Sequence, residues 1–479
     1  MTPSTTFHMR TFGCRMNAAD SDRLARALTA RGFQESSFED AGIYIVNTCS
    51  VRDKPEQKVY SELGRIAEYC KAQKKKDALV CVGGCVAAQA GEKLAERFPQ
   101  VRLLFGGDGI ARAPEAISRL AEDPRLRISL LEFSETYEEP FDPLCAPGLR
   151  DGFDVAPSVF VNIMQGCDNY CAYCIVPFTR GRRKSRKAAA ILGECRSLAE
   201  RGAREITLLG QNVNAYGLDD CGDGTSFAEL LRALSAVPGL LRLRFVTSHP
   251  KDLSPEVTAQ FGDNPALCPR LHLPLQSGSD RILKAMGRRY DTAAYLDLTE
   301  RLRKARPDIA LTTDVIVGFP GETDEDFEDS MRMLGRVGFA SAFSFVYSDR
   351  PGTRAAGFPD KISRPLALER LARLQDYQEK AGERLLRSRI GTADVILLEG
   401  RSRMPELLPA PGACAAPSGG GGGEAWTGRT PHGFIVNVVP EKGSDAPFAE
   451  GGLRGAMLPV RIESAARRSL KGVQAGRPW

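Results

Sequence analysis

The sequence predicts an α/β protein in three parts: an amino-terminal parallel α/β domain, a central (β/α) barrel that is complete or partial, and a small carboxyl-terminal β-barrel. Short β-branched runs alternate with amphipathic stretches through residues 1–120 and again after residue 157, which is typical of parallel sheets with helical crossovers. After residue 391, short runs separated by glycine-rich turns follow. A chain of 479 residues suffices for about two to four domains.

Composition and charge indicate a globular protein without membrane segments. Hydrophobic residues make up 42% and charged residues 26%, and the formal net charge is +5. No stretch approaches the roughly 18 apolar residues of a membrane-spanning helix. Met1 to Arg10 lack the apolar core of a secretory signal, so we expect a cytoplasmic protein. Because disulfides are rare in the cytoplasm, the 13 cysteines favour metal binding or catalysis.

The amino-terminal domain is predicted to span residues 5–123. Its strands are expected at 8–12, 43–47, 78–83 and 101–106, and its helices at 20–31, 54–71 and 92–98. The basis is the alternation of β-branched runs, flanked by glycines, with amphipathic periodicity. Residues 124–156 are rich in acidic residues and proline, and we interpret them as a linker.

The central domain is predicted to span residues 157–388 and the terminal domain residues 389–472. Six central strands are expected at 159–164, 205–209, 242–247, 270–274, 311–317 and 340–347, followed by a long charged helix at 366–388. In an α/β barrel the chemistry lies at the carboxyl ends of the strands. The terminal domain is expected to have strands at 392–398, 433–439 and 457–462, with a flexible insertion at 404–425 that contains five consecutive glycines.

Three cysteines lie within eight residues directly after the first barrel strand, and we call Cys167, Cys171 and Cys174 the central triad. A compact loop with this spacing can place three thiolates on three irons of a cubane cluster and leave the fourth iron open. A structural zinc site is the alternative, but closed zinc sites need four ligands, and none of the four histidines is near this loop.

The Cys-x3-Cys-x2-Cys loop after the first barrel strand resembles the signature of the radical S-adenosylmethionine superfamily. The resemblance implies that the open iron binds the amino and carboxylate groups of S-adenosylmethionine. It also implies that one electron from the cluster cleaves this cofactor to methionine and a 5′-deoxyadenosyl radical. The protein then has to position the reactants and exclude side reactions.

A second set of cysteines, the amino-terminal triad, consists of Cys14, Cys49 and Cys85, which follow the first three predicted strands. Because the carboxyl ends of parallel strands meet at one sheet edge, we expect these cysteines to converge across separations of 35 and 36 positions. Burial as small hydrophobes is the alternative, and repetition after three successive strands counts against it. The other cysteines receive no functional role: Cys70, Cys81, Cys145, Cys195, Cys221, Cys268 and Cys414.

Beyond the cysteines, the sequence resembles the methylthiotransferases over nearly the whole chain. The resemblance is carried by residues 12–17, 47–52, 82–87, 209–214 and 318–323. The chain departs from the family at Arg15, where glutamine is usual, and in the glycine-rich insertion after Met404. The resemblance implies two [4Fe-4S] clusters, one on the central triad that generates the radical and one on the amino-terminal triad that holds or delivers sulfur.

Four further loops follow predicted strands at the barrel mouth, and two of them are residues 247–250 and 275–279. Gln211 and Asn212, with the rest of residues 211–214, follow the second strand, and we expect them to line the pocket for S-adenosylmethionine. Gly318 and Glu322 follow a late strand, where glycine lets the backbone approach an adenine or a ribose closely. Each loop taken alone is more often a turn than a site, but their common position on the rim favours a site.

Two basic regions indicate RNA. Six lysines and arginines lie within residues 180–187, and we predict that Arg180, Arg182, Arg183 and Lys184 contact phosphates, although such a run is usually a solvated face. Residues 386–479 hold 12 basic and 8 acidic residues and resemble the TRAM module, a small RNA-binding β-barrel, at 397–400, 428–430, 461–463 and 469–472. Arg429 is the RNA contact expected there.

The resemblance implies methylthiolation of carbon 2 of an isopentenylated adenosine beside the anticodon of a tRNA. It also implies two uses of S-adenosylmethionine, as the donor of a methyl group to sulfur and as the source of the radical. We expect a monomer whose partners are the tRNA anticodon stem-loop, an electron donor such as flavodoxin or ferredoxin, and a sulfur source.

Two alternatives are open. The same chemistry would serve threonylcarbamoyl-adenosine in tRNA or an aspartate of a ribosomal protein, although residues 47–54 and 83–87 resemble the isopentenyl-adenosine branch best. A protein of another class, a non-catalytic iron–sulfur sensor that binds RNA, would carry the same cysteines but release no 5′-deoxyadenosine.

Overall fold

The computed structural model describes residues 5–49, 53–75, 77–143, 155–402, 425–439 and 453–479. The amino-terminal strands are β1 Thr6–Phe12, β2 Gln34–Glu35, β3 Ile43–Thr48, β4 Leu79–Gly84, β5 Val101–Phe105 and β6 Ile128–Leu130. They form one parallel sheet in the order β2-β1-β3-β4-β5-β6. The helices are α1 Arg15–Thr29, α2 Asp53–Ala72, α3 Cys85–Ala90, α4 Glu92–Arg97 and α5 Ala113–Glu122.

The four predicted strands of this domain are confirmed, and two predicted boundaries are wrong. Helix α1 begins at Arg15, directly after Cys14, and not at residue 20. The predicted linker begins too early, because β6 pairs with β5 and its Ile128 and Leu130 pack against the apolar core of the sheet.

The central domain is an arc of six parallel strands, with a short antiparallel pair beside it. Its strands are β7 Ser158–Asn162, β8 Met164–Gln165, β9 Lys184–Ser185, β10 Glu205–Leu209, β11 Arg242–Phe245, β12 Arg270–His272, β13 Ala310–Val317 and β14 Ser341–Val346. The orders β7-β10-β11 and β12-β13-β14 are joined by a parallel bridge between Leu243 and Leu267. The barrel is therefore a partial one, with β7 and β14 at the two ends of the arc.

Helices cover the convex side of this arc. They are α6 Val176–Thr179, α7 Ala188–Glu200, α8 Phe227–Ser235, α9 Pro255–Asp263, α10 Asp280–Met286, α11 Thr292–Ala305, α12 Asp324–Val337 and α13 Arg364–Arg387. Alternation along the strands separates two environments: Leu208, Leu243 and Leu271 lie in the main apolar core. The neighbouring Thr207 and Arg244 line a polar cavity on the concave side.

The terminal domain is a closed five-stranded barrel in the order β15-β16-β17-β19-β18. Its strands are β15 Ala393–Arg401, β16 Trp426–Arg429, β17 Ile435–Val439, β18 Met457–Ala465 and β19 Leu470–Gln474. The prediction of a small β-barrel is confirmed, but β16 and β19 were not predicted, because glycine interrupts both runs. Residues 404–424 of the predicted insertion, and with them Cys414, lie outside the described residues, as does Cys145.

The three domains pack against one another. Helix α1 contacts β7, α3 contacts α6, and α13 contacts both β14 and β18. At the amino ends of the arc, Arg242 donates to the Arg429 carbonyl at 2.7 Å and Arg270 donates to the His432 carbonyl at 2.9 Å. Within the residues that the structure describes, no helix combines the length and the apolar character that a membrane crossing needs.

Candidate active site

The amino-terminal triad meets at the carboxyl edge of its sheet. Cys14 follows β1, Cys49 follows β3, and Cys85 opens α3 after β4. The Cys49 thiol forms hydrogen bonds with both Cys14 and Cys85. Cys49 and Cys85 are buried, whereas Cys14 is exposed. Sulfur atoms from three strand ends are thus brought to one place.

The charges of these thiols favour metal ligation. A hydrogen bond with Cys49 and the charge of Arg180 lower the pKa of Cys14 to about 6. The same two interactions hold the pKa of Cys85 well below its usual value. Hydrogen bonds with the other two thiols raise the pKa of Cys49. Thiolates are the ligands of iron–sulfur clusters, so the donor set fits one.

Buried amides join the end of β3 to Cys14 and the start of α1. Asn17 donates through Nδ2 to Asn47 Oδ1 at 3.0 Å and to the Thr48 carbonyl at 2.9 Å. Asn47 returns a hydrogen bond from Nδ2 to the Asn17 carbonyl at 3.0 Å. The Asn17 Oδ1 atom accepts from the Cys14 thiol at 3.1 Å. A single helical residue therefore joins the end of β3 to one of the cysteines.

The central triad lies on a loop held by backbone hydrogen bonds. The Cys167 amide donates to the Gly181 carbonyl at 3.2 Å, and the Cys174 amide donates to the Cys171 carbonyl at 3.0 Å. Burial raises the pKa of Cys167, and it raises that of Cys174 to about 12, with a further contribution from Cys171 to each. The three thiols are close enough to influence one another.

Each triad offers three thiols, which is the number that a cubane cluster with one open iron needs. Among the described residues, no group of three or more His, Cys, Asp or Glu side chains is arranged to hold one metal ion. In a cubane each iron takes one thiolate, so its three cysteines need not surround a common point.

Gln211 links the two triads. Its Oε1 atom accepts from the amide of Gly166, the residue before Cys167, at 2.5 Å. Its Nε2 atom donates to the sulfur of Met16, two residues after Cys14, at 2.6 Å. The predicted pocket residue thus lies between the loops that carry the two sets of cysteines, and both ends of its amide are occupied by the chain itself.

Polar atoms without partners gather at the ends of β10 and β11. Buried atoms with no hydrogen bond within the described part of the chain include Asn212 Oδ1, Asn214 Nδ2, Ser248 Oγ and His249 Nε2. The loops that carry them are joined, because the His249 amide donates to Asn214 Oδ1 at 3.2 Å. Buried polar groups are normally paired, so this set fits a polar ligand such as S-adenosylmethionine.

His249 is a neutral donor in this set. Burial lowers its pKa to about 2, with help from Arg288 and two further cations. Its Nδ1 atom accepts from the Lys251 amide at 3.2 Å, which assigns the proton to Nε2. Asn212 lies at this mouth, and its contact with the cofactor stays a prediction. Asn214, Ser248 and His249 lie beside it, in loops that the sequence also predicts on the rim.

The loop after β13 differs from its prediction. Both oxygens of Glu322 accept from the Gly318 amide at 3.1 Å, and one of them pairs with buried Arg370 at 2.7 Å. A Cβ atom on Gly318 would lie 2.8 Å from the Cβ of Ala367. Glu322 therefore holds the loop instead of offering its carboxylate to a ligand, and the tight approach at Gly318 is to a helix.

Comparisons with known proteins match the amino-terminal and central domains to two family models. Residues 161–334 match the model described as the radical SAM superfamily, and residues 6–106 match one described as uncharacterized protein family UPF0004. A tRNA-2-methylthio-N(6)-dimethylallyladenosine synthase of Nitratidesulfovibrio vulgaris is 58% identical, covering 99% of each chain. Proteins of the same name from Oleidesulfovibrio alaskensis and Lawsonia intracellularis are 54% and 47% identical, covering 98% and 97% of each chain. The chain belongs to this synthase family.

Solved structures support the fold of this member of the synthase family. The radical S-adenosylmethionine methyltransferase TsrM of Kitasatospora setae superposes with a TM-score of 0.53 at 15% identity, covering 74% of this chain and 75% of that one. The cobalamin-dependent radical enzyme OxsB superposes with a TM-score of 0.50 at 13% identity, covering 79% of this chain and 56% of that one. At these identities the likeness shows the fold alone.

In this synthase family member, the basic run after the central triad is largely internal. Arg180 and Lys184 are each 2% exposed. Arg180 pairs with Asp20 at 3.2 Å, and Lys184 pairs with Asp108 at 2.6 Å. The prediction that these two side chains contact RNA is wrong, because carboxylates of the amino-terminal domain cover and neutralise them.

The other predicted RNA contacts stay accessible to different degrees. The Arg182 side chain is 84% exposed, with Asp168 at 3.7 Å. Arg183 is mostly covered and donates to the Leu218 carbonyl at 2.6 Å. Arg429 lies at the junction of the terminal barrel with the arc, paired with Glu399 at 3.1 Å.

Arg429 belongs to a cavity of about 340 Å³ where the three domains meet. The lining also includes Arg15, Arg244 and Arg270. Burial lowers the pKa of Arg270 to about 10, and the charges of the other three arginines lower it further. Four guanidinium groups from four distant segments thus repel one another across one space.

Sequence reasoning missed three of these arginines. Arg244 and Arg270 lie within strands of a parallel arc, where both faces are normally apolar. A charged residue within such a strand could have indicated that the concave face of the arc is polar. Arg15 gave a signal too, as the departure from glutamine beside Cys14.

Proposed function

We propose that this chain is a radical S-adenosylmethionine tRNA methylthiotransferase. It adds a methylthio group to C2 of N6-dimethylallyladenosine next to the anticodon. The observation that carries the proposal is the presence of both thiol triads in a chain 58% identical to a synthase of this name over 99% of its length. Relatives at 54% and 47% identity carry the same name. This favours dimethylallyladenosine over threonylcarbamoyl-adenosine or a ribosomal aspartate.

Two [4Fe-4S] clusters and S-adenosylmethionine are the cofactors. Cys167, Cys171 and Cys174 would hold one cluster, and the amino-terminal triad would hold the other. When bound, the first cluster and S-adenosylmethionine supply the one-electron chemistry that activates an unreactive C–H bond. Three thiolates leave one iron of each cubane free for a further ligand.

The residues of the mouth bind and orient the cofactor. The neutral Nε2–H of His249 and the amide of Asn214 offer donors, while Asn212 Oδ1 offers an acceptor. All three residues are buried, so water is kept from the place where reactive species form.

The link through Gln211 supports the proposal that one nucleobase reaches both triads. Because its two ends bond to Gly166 and Met16, the loops of the two triads face each other across one side chain. We infer that hydrogen is removed and sulfur is delivered at one carbon held between these loops.

The arginine-lined cavity is the proposed entrance for tRNA. Its four mutually close arginines, Arg15, Arg244, Arg270 and Arg429, face only two carboxylates of the lining, on Glu205 and Glu399. Phe160 adds an aromatic face, over which the Arg15 guanidinium lies at 5.4 Å. Excess positive charge and an aromatic surface suit a phosphate and a stacked base.

The remaining partners are also proposals. The reaction needs an electron and a sulfur atom that amino acid side chains do not supply, so we propose an electron donor such as flavodoxin or ferredoxin and a separate sulfur source. We further propose that the chain acts as a monomer in the cytoplasm.

Mass spectrometry of tRNA nucleosides tests the function. A deletion strain should lack the methylthio group on dimethylallyladenosine, and the intact chain should restore it, while a variant with alanine at Cys167, Cys171 and Cys174 should not. Loss of a methylthio group from threonylcarbamoyl-adenosine instead would assign the other tRNA substrate. Purified protein that releases no 5′-deoxyadenosine with S-adenosylmethionine, reductant and tRNA would favour the non-catalytic sensor.

A further inference from the structure

In each triad one cysteine sulfur accepts a hydrogen bond from a buried arginine. Arg180 donates from Nε to Cys85 Sγ at 3.3 Å, and Arg288 donates from Nη1 to Cys171 Sγ at 3.5 Å. The two arginines are 2% and 4% exposed. Neither contact is local in sequence, since the pairs are separated by 95 and 117 positions.

Arg180 reaches the amino-terminal triad from another domain. It follows α6, six positions after Cys174, and its Nη1 atom pairs with Asp20 Oδ2 at 3.2 Å. The other oxygen of Asp20 accepts from Asn162 Nδ2 at 2.8 Å. The guanidinium is therefore fixed from two sides, and its charge is partly offset by one carboxylate.

Arg288 has a different environment. It donates from Nη2 to the Pro274 carbonyl at 3.2 Å and from Nε to the Tyr290 hydroxyl at 3.0 Å. The Tyr173 hydroxyl lies 3.4 Å from Nη1. Every partner that the structure records for it within the described ranges is neutral or a thiol, so its positive charge has no carboxylate beside it.

We propose that Arg180 and Arg288 are positioning residues that stabilise the reduced form of the cluster on the amino-terminal and the central triad, respectively. This rests on the proposed function only in that the triads hold clusters. Reduction adds one electron from an external reductant and one negative charge to the cluster, and no proton has to move. A buried guanidinium on a ligating sulfur lowers the free energy of that extra charge.

The two arginines should stabilise the reduced clusters to different extents. Asp20 offsets part of the charge of Arg180, whereas Arg288 acts alone. We therefore expect the removal of Arg288 to disturb its cluster more than the removal of Arg180 disturbs the other.

Reduction potentials of the full-length, iron-loaded protein test the proposal. The Arg180→Gln and Arg288→Gln variants are each titrated with dithionite, and the reduced clusters are followed by electron paramagnetic resonance. Each substitution is made in the intact chain and in chains in which the three cysteines of one triad are replaced by alanine. Arg180→Gln should make reduction of the amino-terminal cluster about tenfold less favourable, a decrease of about 59 mV for one electron. Arg288→Gln should lower the potential of the central cluster by more, and each variant should leave the other cluster unchanged.

Arg23→Gln is the matched control. Arg23 is buried at the same interface of domains and pairs with Glu194 at 2.8 Å, but it donates to no sulfur among the contacts described. Its replacement should leave both potentials unchanged. An equal shift in this variant would mean that general loosening of the interface, and not the contact with sulfur, sets the potential.

Conservative variants keep the proposal testable if Arg180→Gln does not load iron. Arg180→Lys should shift the potential less than glutamine does, and Asp20→Asn should raise it, because the offsetting charge is removed while Arg180 stays. Unchanged potentials in loaded Arg288→Gln and Asp20→Asn proteins would overturn the inference and leave methylthiolation intact. Shifted potentials in a chain that never modifies tRNA would overturn the proposed function instead.

Discussion

The central triad is assembled within one loop, whereas the amino-terminal triad is assembled across a sheet. Eight consecutive residues carry Cys167, Cys171 and Cys174, and hydrogen bonds of the local backbone set their order. Cys14, Cys49 and Cys85 come together only when β1, β3 and β4 pair in register. The difference predicts that the first site tolerates changes elsewhere in the fold, while the second depends on every contact that aligns its strands.

The two sites also differ in what surrounds them. Side-chain amides of Asn17 and Asn47 tie the amino-terminal triad together. Main-chain groups do the same for the central one, for example the Ala172 amide, which donates to the Met286 carbonyl at 2.8 Å. A side-chain network can be removed by one substitution, but a backbone network cannot.

Removal of the thiols should separate the two sites most sharply. Alanine at Cys167, Cys171 and Cys174 should abolish both 5′-deoxyadenosine and the modified nucleoside. Alanine at the three amino-terminal cysteines should leave the cleavage of S-adenosylmethionine in place but abolish the insertion of sulfur, because those ligands belong to another domain. Product analysis decides, with iron counts and circular dichroism as controls, since loss of a metal site can unfold its domain. Methylthio-adenosine from a folded amino-terminal variant would make that triad structural.

Glycines directly before the cysteines should give the next largest effect. Gly84 and Gly166 have φ angles of +86° and +78°, and a Cβ atom would collide with the carbonyl oxygens of Thr48 and Arg182, respectively. Alanine at either position should cost about 1–3 kcal/mol of stability or more. Iron should be lost from the adjacent triad only. Gly193→Ala, in a helix with open space around it, should be neutral or slightly stabilising by chemical denaturation.

Asn47→Ala should weaken only the amino-terminal site. The substitution removes one hydrogen-bond partner from each of Asn17 and Ser21, which are both buried, and this costs about 1–3 kcal/mol. Iron released to a chelator should therefore come faster from this triad, and the rate for the central triad should not change. The two rates are measured in chains that retain one triad each. Equal acceleration at both sites would contradict the separation of the two networks.

Arg15→Gln should have the smallest effect, and it should change tRNA binding but neither of the two cysteine sites. Arg15 lies beside Cys14 and lines the cavity, so its loss should weaken tRNA binding and reduce the slope of affinity against salt by about one. The iron content should stay the same. Arg182→Gln, at an exposed position, is the control. If it changes the salt slope more than Arg15→Gln does, the tRNA path lies over the surface and not through the cavity.

The sequence by itself determined the order of the domains, the six strands of the barrel region and the two groups of three cysteines. Local spacing identifies the central triad, and the rule that parallel strands end at one edge identifies the amino-terminal one. Both inferences need only properties that are written along the chain: periodicity, β-branched runs and the intervals between cysteines. The short strand β6 was not predicted, because three residues carry too little periodicity. Its position is set by its pairing with β5.

Only the tertiary structure decided which charges face water. Arg180, Lys184 and Arg186 lie in a basic run that predicts a surface, yet all three are buried. The partners of the first two are distant in sequence: Asp20 is 160 positions from Arg180, and Asp108 is 76 positions from Lys184. A charge can be buried only if an opposite charge and hydrogen bonds accompany it. Because those partners come from another domain, no pattern within the run distinguishes an internal ion pair from a phosphate contact.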